Sequence, residues 1–184
     1  MDALMLILFG MILVICLIFG IYLTLYNKIQ DYIIRINEVE SIIDNNLREK
    51  YDNINKIVSI IKANEKIKLD KKILEEIVKL KNKKISNFNL DRKLIETTNY
   101  FTNLKEKNKE IKNNEDIKLL FNKIDDLDEL LLVNKEYYNR NIAEYNKLIK
   151  LFPTNIVASI CKYQEKLFFD KKDMSDDDYN DFKL

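Results

Sequence analysis

The chain has 184 residues, with 31 basic and 30 acidic side chains, a formal charge of +1 and no histidine. That balance gives no global field favouring nucleic acid, so no nucleic-acid partner is expected. Without histidine the usual general base, the Ser-His and Cys-His nucleophile pairs and the Glu-x-x-His element of di-iron bundles are missing, and the chain reads as non-enzymatic, with no cofactor and no metal site.

Turn chemistry is scarce as well. Two glycines and one proline stand against average usage of about 7% and about 5%, which favours a few long helices over a many-stranded sheet. Cys16 and Cys161 lie near opposite ends of the chain, offering neither a disulfide framework nor a CxxC site. There is also no Gly-rich phosphate loop and no GxSxG turn.

In chain order, the first feature is Ala3 to Leu25, 23 residues without a charge. As a helix it spans about 35 Å, enough to cross a hydrocarbon core of about 30 Å with modest tilt. A cleavable signal would need a basic start and a small-residue end, but Asp2 precedes the run and Tyr22 to Tyr26 close it. Leu13 to Cys16 is a poor lipoprotein box, because Ile15 is too bulky for the position before the cysteine. Lys28 and Arg35 follow the span at once. The positive-inside bias therefore expects a single-pass protein with an outer N-terminus and a cytoplasmic helical domain.

From Tyr26 to Glu65 no Gly or Pro intervenes, and Ile33, Ile36, Ile43, Leu47, Ile54, Val58 and Ile61 recur at helical spacing, with Glu40 and Tyr51 in the remaining slots. The span is expected to continue as a rigid stalk. Asp70 is placed to cap a second segment carrying Ile73, Ile77, Leu80, Leu94, Phe101 and Leu104 to about Lys109, with a kink or break between Ser86 and Asp91. The basic run Lys79 to Lys84 reads as a solvated face. A third segment follows Asn113 and Asn114 with Ile117, Leu120, Ile124, Leu127, Leu131, Tyr138, Ile142, Tyr145, Leu148 and Phe152, interrupted only at Asn134. The acids Asp125 to Glu129 on it read as surface solvation. Pro153 ends it, Thr154 is expected to cap a short fourth helix to about Phe168, and the acidic tail is expected to be frayed.

The predicted fold is all-α: an N-terminal transmembrane helix continuing into an antiparallel three-helix bundle with a short fourth C-terminal helix. The corresponding domains are an anchor over 1–26, a helical bundle over 27–169 and a tail over 170–184.

Several of these residues together resemble the LemA family. They are Ile43-Asp44, Leu47-Arg48, Asp52, Ile54 and Ile57-Val58; then Tyr138-Asn139, Glu144-Tyr145-Asn146, Phe152-Pro153-Thr154-Asn155-Ile156 and Ala158; and between them Asn114-Glu115, Leu120 and Ile124. The resemblance covers nearly the whole chain. It implies a bacterial protein with an N-terminal membrane helix and a helical bundle, located at the cell membrane, and it brings no settled molecular activity. Glu40 stands where the family commonly has Trp, and Asn55-Lys56 replaces a Pro-Asn pair, so a kink in the first helix is less expected here.

Helix rise places Asp44 to Lys62 about 25–55 Å beyond the membrane exit, and a third helix starting near the membrane would put Tyr138 to Phe152 about 35–55 Å away too. Asp44, Arg48 and Asp52 are then expected to share a distal polar network with Tyr138, Asn139, Tyr145 and Asn146, with Pro153 and Asn155 beside it. The first functional reading is a scaffold or adaptor held in the bilayer by its N-terminal helix, presenting a distal surface to a protein partner or to another copy of itself. The alternative is a ligand-binding regulator or enzyme accessory of envelope processes using that polar cluster.

Overall fold

A computed structural model describes residues 3–63, 67–81 and 85–171. Among them all regular structure is helical: α1 (Ala3–Ala63), α2 (Lys71–Leu80), α3 (Asn87–Lys107), α4 (Lys109–Asn113), α5 (Glu115–Lys150), α6 (Thr154–Ile160) and a 3-10 turn over Phe169–Lys171. Of the tail expected from 170 onward, Asp170 and Lys171 belong to that turn, and 172–184 lie outside the described residues.

The first helix runs unbroken through 61 residues, as an apolar span followed by a stripe without Pro or Gly should. It continues through Asn55-Lys56 without a break, in keeping with the missing proline. Its amino-terminal part is long and apolar enough to cross a membrane and buries nothing inside the protein.

The described residues form two compact units. One comprises Met1–Glu38 with Asn139–Phe168, the other Val39–Tyr138 with the chain from Phe169 on. In the second unit Val39, Ile43, Leu47, Ile54, Ile57 and Ile61 of α1 pack in one core with Leu90, Leu94 and Phe101 of α3 and with Ile117, Ile124 and Leu131 of α5. The stripe on α1 differs from the expected one in its polar slots. Val39 and Lys50 are buried where Glu40 and Tyr51 were expected, and both expected residues are only half-buried.

Direction in this unit follows from single hydrogen bonds. Arg48 reaches the Leu80 carbonyl at the end of α2, 3.4 Å away, and the Asn87 amide at the start of α3 reaches the Glu40 carbonyl at 3.4 Å. The Tyr100 hydroxyl on α3 accepts from the Asp70 amide at the start of α2, 3.3 Å away. So α2 runs back along α1 and α3 runs forward again. The expected kink near Ser86 is in fact a reversal, and one expected segment is two antiparallel helices. The caps fix it: Asp70 accepts from the Lys72 amide at 2.9 Å and Ser86 from the Asn89 amide at 3.3 Å.

Asn108 and Asn114 cap α4 and α5 in the same way. Asn114 and Ile117, at the start of α5, line a small cavity with Ile60 and Ile61, at the end of α1. The third long helix therefore begins beside the far end of α1 rather than near the membrane, which corrects the height assigned above to Tyr138 through Phe152.

Candidate functional site

In the span-containing unit the chain turns tightly after α5. The helix stops at Lys150, before Pro153, and Phe152 is left 79% exposed instead of entering the core. α6 then starts at Thr154, which is buried inside the helix and does not cap it; Pro153 holds the cap position with no side-chain hydrogen bond. This helix ends at Ile160, well before Phe168. Lys162 has φ of 56°, and the Lys162 and Tyr163 amides bond back to the Ser159 and Ala158 carbonyls at 3.2 and 2.9 Å. That is a Schellman stop with lysine where glycine is usual.

Residues 163–168 form no regular element, and side chains of α1 and α5 satisfy their polar groups. Asn146 donates to the Lys166 carbonyl and accepts from the Lys166 amide, both at 2.8 Å. Tyr145, buried, donates to the Gln164 carbonyl at 3.0 Å. Gln30 donates to the Tyr163 hydroxyl, and Lys150 pairs with Glu165 at 2.8 Å. Burial pushes the Tyr163 phenol up to about 12; the Gln30 hydrogen bond acts in the opposite sense and neighbouring Tyr26 reinforces the rise. Burial raises the Tyr145 phenol also. Further along α1, the Tyr22 hydroxyl lies 3.5 Å from the Cys161 sulfur.

The other unit has a polar core that hydrophobic spacing does not reveal. Lys50 is 1% exposed and its ammonium meets Asp128 of α5 at 2.5 Å. Asp91 of α3 is buried and meets Lys135 of α5 at 2.5 Å, with Lys135 also lying 5.2 Å from the centre of the Phe169 ring. These pairs tie α1 and α3 to α5 in one register. Phe169 in turn sits edge-on to Tyr138 and Phe88, so the last described turn is fastened by aromatic contacts.

The residues singled out from the sequence fall into separate settings. Asp44 and Arg48 pair with each other one helical turn apart at 3.3 Å, Arg48 also holding the end of α2, while Asp52 is exposed. Tyr138 is a core residue of that same unit. Tyr145 and Asn146 bind the 163–168 segment in the other unit, where Asn139 is half-buried and Pro153 and Asn155 are exposed. Lys50 and Asp91 were missed because a charged residue in an apolar slot breaks the pattern used to find the core, and Asp128, one of the acids read as surface solvation, proves to be the partner of Lys50; the slot given to Tyr51, with no aliphatic residue between Leu47 and Ile54, was the available signal. Among the described residues no group of three acids or cysteines is placed to hold a metal ion.

The model of the LemA family matches residues 39–180. No curated protein and no solved structure matches the chain.

Proposed function

The chain belongs to the LemA family, and we propose that it is a membrane-tethered, non-enzymatic helical scaffold that presents one face of α5 to a protein partner. The observation that carries this reading is a set of exposed apolar side chains on one helix. Leu130 and Val133 are exposed on one side of α5, and exposed Leu119 stands on the same side three turns earlier, at 3.6 residues per turn. Leu119 itself lines an open, mainly apolar groove with Leu120 and Lys123 of α5 and with Asn55, Ser59 and Ile60 of α1. An amphipathic helix from a partner would lay its apolar face along these side chains and into the groove.

The anchor is residues 1–26, and Lys28 and Arg35 at its exit orient the helical region, 27–169, towards the bacterial cytoplasm. Scaffold function suits the chemistry: the buried ions Lys50 and Asp91 are paired across helices with Asp128 and Lys135 and make a register.

Affinity purification from solubilised membranes tests the reading. A stoichiometric protein should accompany the full chain and be lost from Leu130→Glu/Val133→Glu; an unchanged set of co-purifying proteins would remove these side chains from consideration.

A further inference from the structure

α6 and the turn before it carry apolar side chains that no other described residue covers. Phe152, Ile156 and Ile160 are 79, 52 and 64% exposed; Ile156 and Ile160, four residues apart, share one side of α6, and Phe152 stands in the turn that leads into it. Val157 and Ala158 point the other way and are buried. So α6 is amphipathic with its apolar surplus outward, an arrangement unfavourable in water.

What lies next to α6 indicates what covers it. Cys161, at its end, touches Tyr22, and Tyr22 lies three residues before Leu25, the last residue of the apolar run. On helix rise that contact is about 4.5 Å to the bilayer side of the run's end. The Tyr22 and Tyr26 rings stack beside each other there, 6.3 Å between centres, where an interfacial aromatic belt belongs. α6 is thus joined to α1 at the depth of the headgroup region. In sequence it is preceded by Lys147, in the last turn of α5, and followed by Lys162; both are exposed and suit anionic headgroups.

We propose that α6 is a second membrane contact: the Phe152, Ile156 and Ile160 face seats in the interfacial zone of the same bilayer that α1 crosses. Short apolar faces of this kind lie about 5–10 Å into the boundary between headgroups and acyl chains. The contact fixes the rotation of α1 about its own axis and turns a single tether into a two-point mount. It rests on the reading of α1 as a membrane anchor, and the test separates the two.

The chain has no tryptophan, so a single introduced indole reports alone. Phe152→Trp and Ile156→Trp, made in the full chain and reconstituted in nanodiscs of phosphatidylcholine and phosphatidylglycerol, are compared with brominated and unbrominated acyl chains. Phe19→Trp reports the span, and Val78→Trp, an exposed position in the other unit, serves as the water reference. Bromination should lower the emission of Phe152→Trp and Ile156→Trp about twofold or more, as expected for side chains at the acyl boundary. If Phe19→Trp is quenched and the α6 positions behave like Val78→Trp, the second contact is wrong while the anchor stands. If Phe19→Trp is not quenched either, both fall. A blue-shifted but unquenched α6 indole identifies protein, such as a second copy, as the cover and also overturns the proposal. Phe152 and Ile156 are both mostly exposed, so the substitutions leave the core intact, which helicity by circular dichroism verifies.

Discussion

Removing the carboxylate from Asp128 leaves the Lys50 ammonium buried without its ion-pair partner, since Lys50 is 1% and Asp128 45% exposed. Breaking a buried pair from one side costs about 3–5 kcal/mol; the half-exposed carboxylate is partly solvated, so the lower end, about 3 kcal/mol, applies to Asp128→Ala. The reverse change is mild. Lys50→Met keeps an unbranched apolar stem in the same slot and leaves Asp128 facing water, with an expected loss under about 1 kcal/mol. For a cooperative unit of about 100 residues, 1 kcal/mol moves Tm by about 4–8 °C, so Asp128→Ala should lower it by about 12–24 °C and Lys50→Met by only a few degrees. Thermal unfolding of the full chain in detergent micelles, followed by far-UV circular dichroism, measures both. The double variant should recover most of the loss. Equal shifts for the two single variants, or a shift below about 4 °C for Asp128→Ala, would refute the view that a buried unpaired ammonium dominates here.

Asn146→Ala removes both hydrogen bonds to Lys166 and should destabilise by about 1–3 kcal/mol; the Lys166 amide should show markedly faster hydrogen exchange, and unchanged exchange would contradict the role given to Asn146. Lys162→Gly should stabilise by about 0.5–1 kcal/mol, because glycine adopts the left-handed stop at φ 56° without the Cβ penalty, as a chemical-denaturation midpoint would report. Tyr163 gives a pH dependence. Its phenol is raised from 10.0 to about 12 in the folded chain, so its contribution to stability is fully present below pH 10.0 and is lost as pH climbs towards about 12. Melting curves across that window should fall more steeply for the natural chain than for Tyr163→Phe.

Much of this was legible because the apolar spacing is so regular. Ile36, Ile43, Leu47, Ile54 and Ile61 are buried as their spacing requires, and the caps at Asp70 and Asn114 stand where residue type places them. Three features were hidden for separate reasons. The reversal before Ser86 carries no Gly or Pro, so a serine cap alone marks it. α6 stops at a left-handed lysine, and lysine is an ordinary helix residue in composition and pattern. The partners of Tyr145 and Asn146 are backbone groups of a segment with no periodicity, and its return onto α5 is a tertiary fact that no local pattern encodes. Phe152 illustrates the consequence: it continues the stripe in sequence, but the helix has already ended at Lys150.

The scaffold reading is tested most directly by placing a photo-crosslinking residue at Val133 in the full chain within its native membrane. The account expects a discrete protein adduct from Val133, exposed on α5, and none from an exposed position such as Lys72 on α2. Equal labelling from the two positions, or no adduct from Val133, would contradict it.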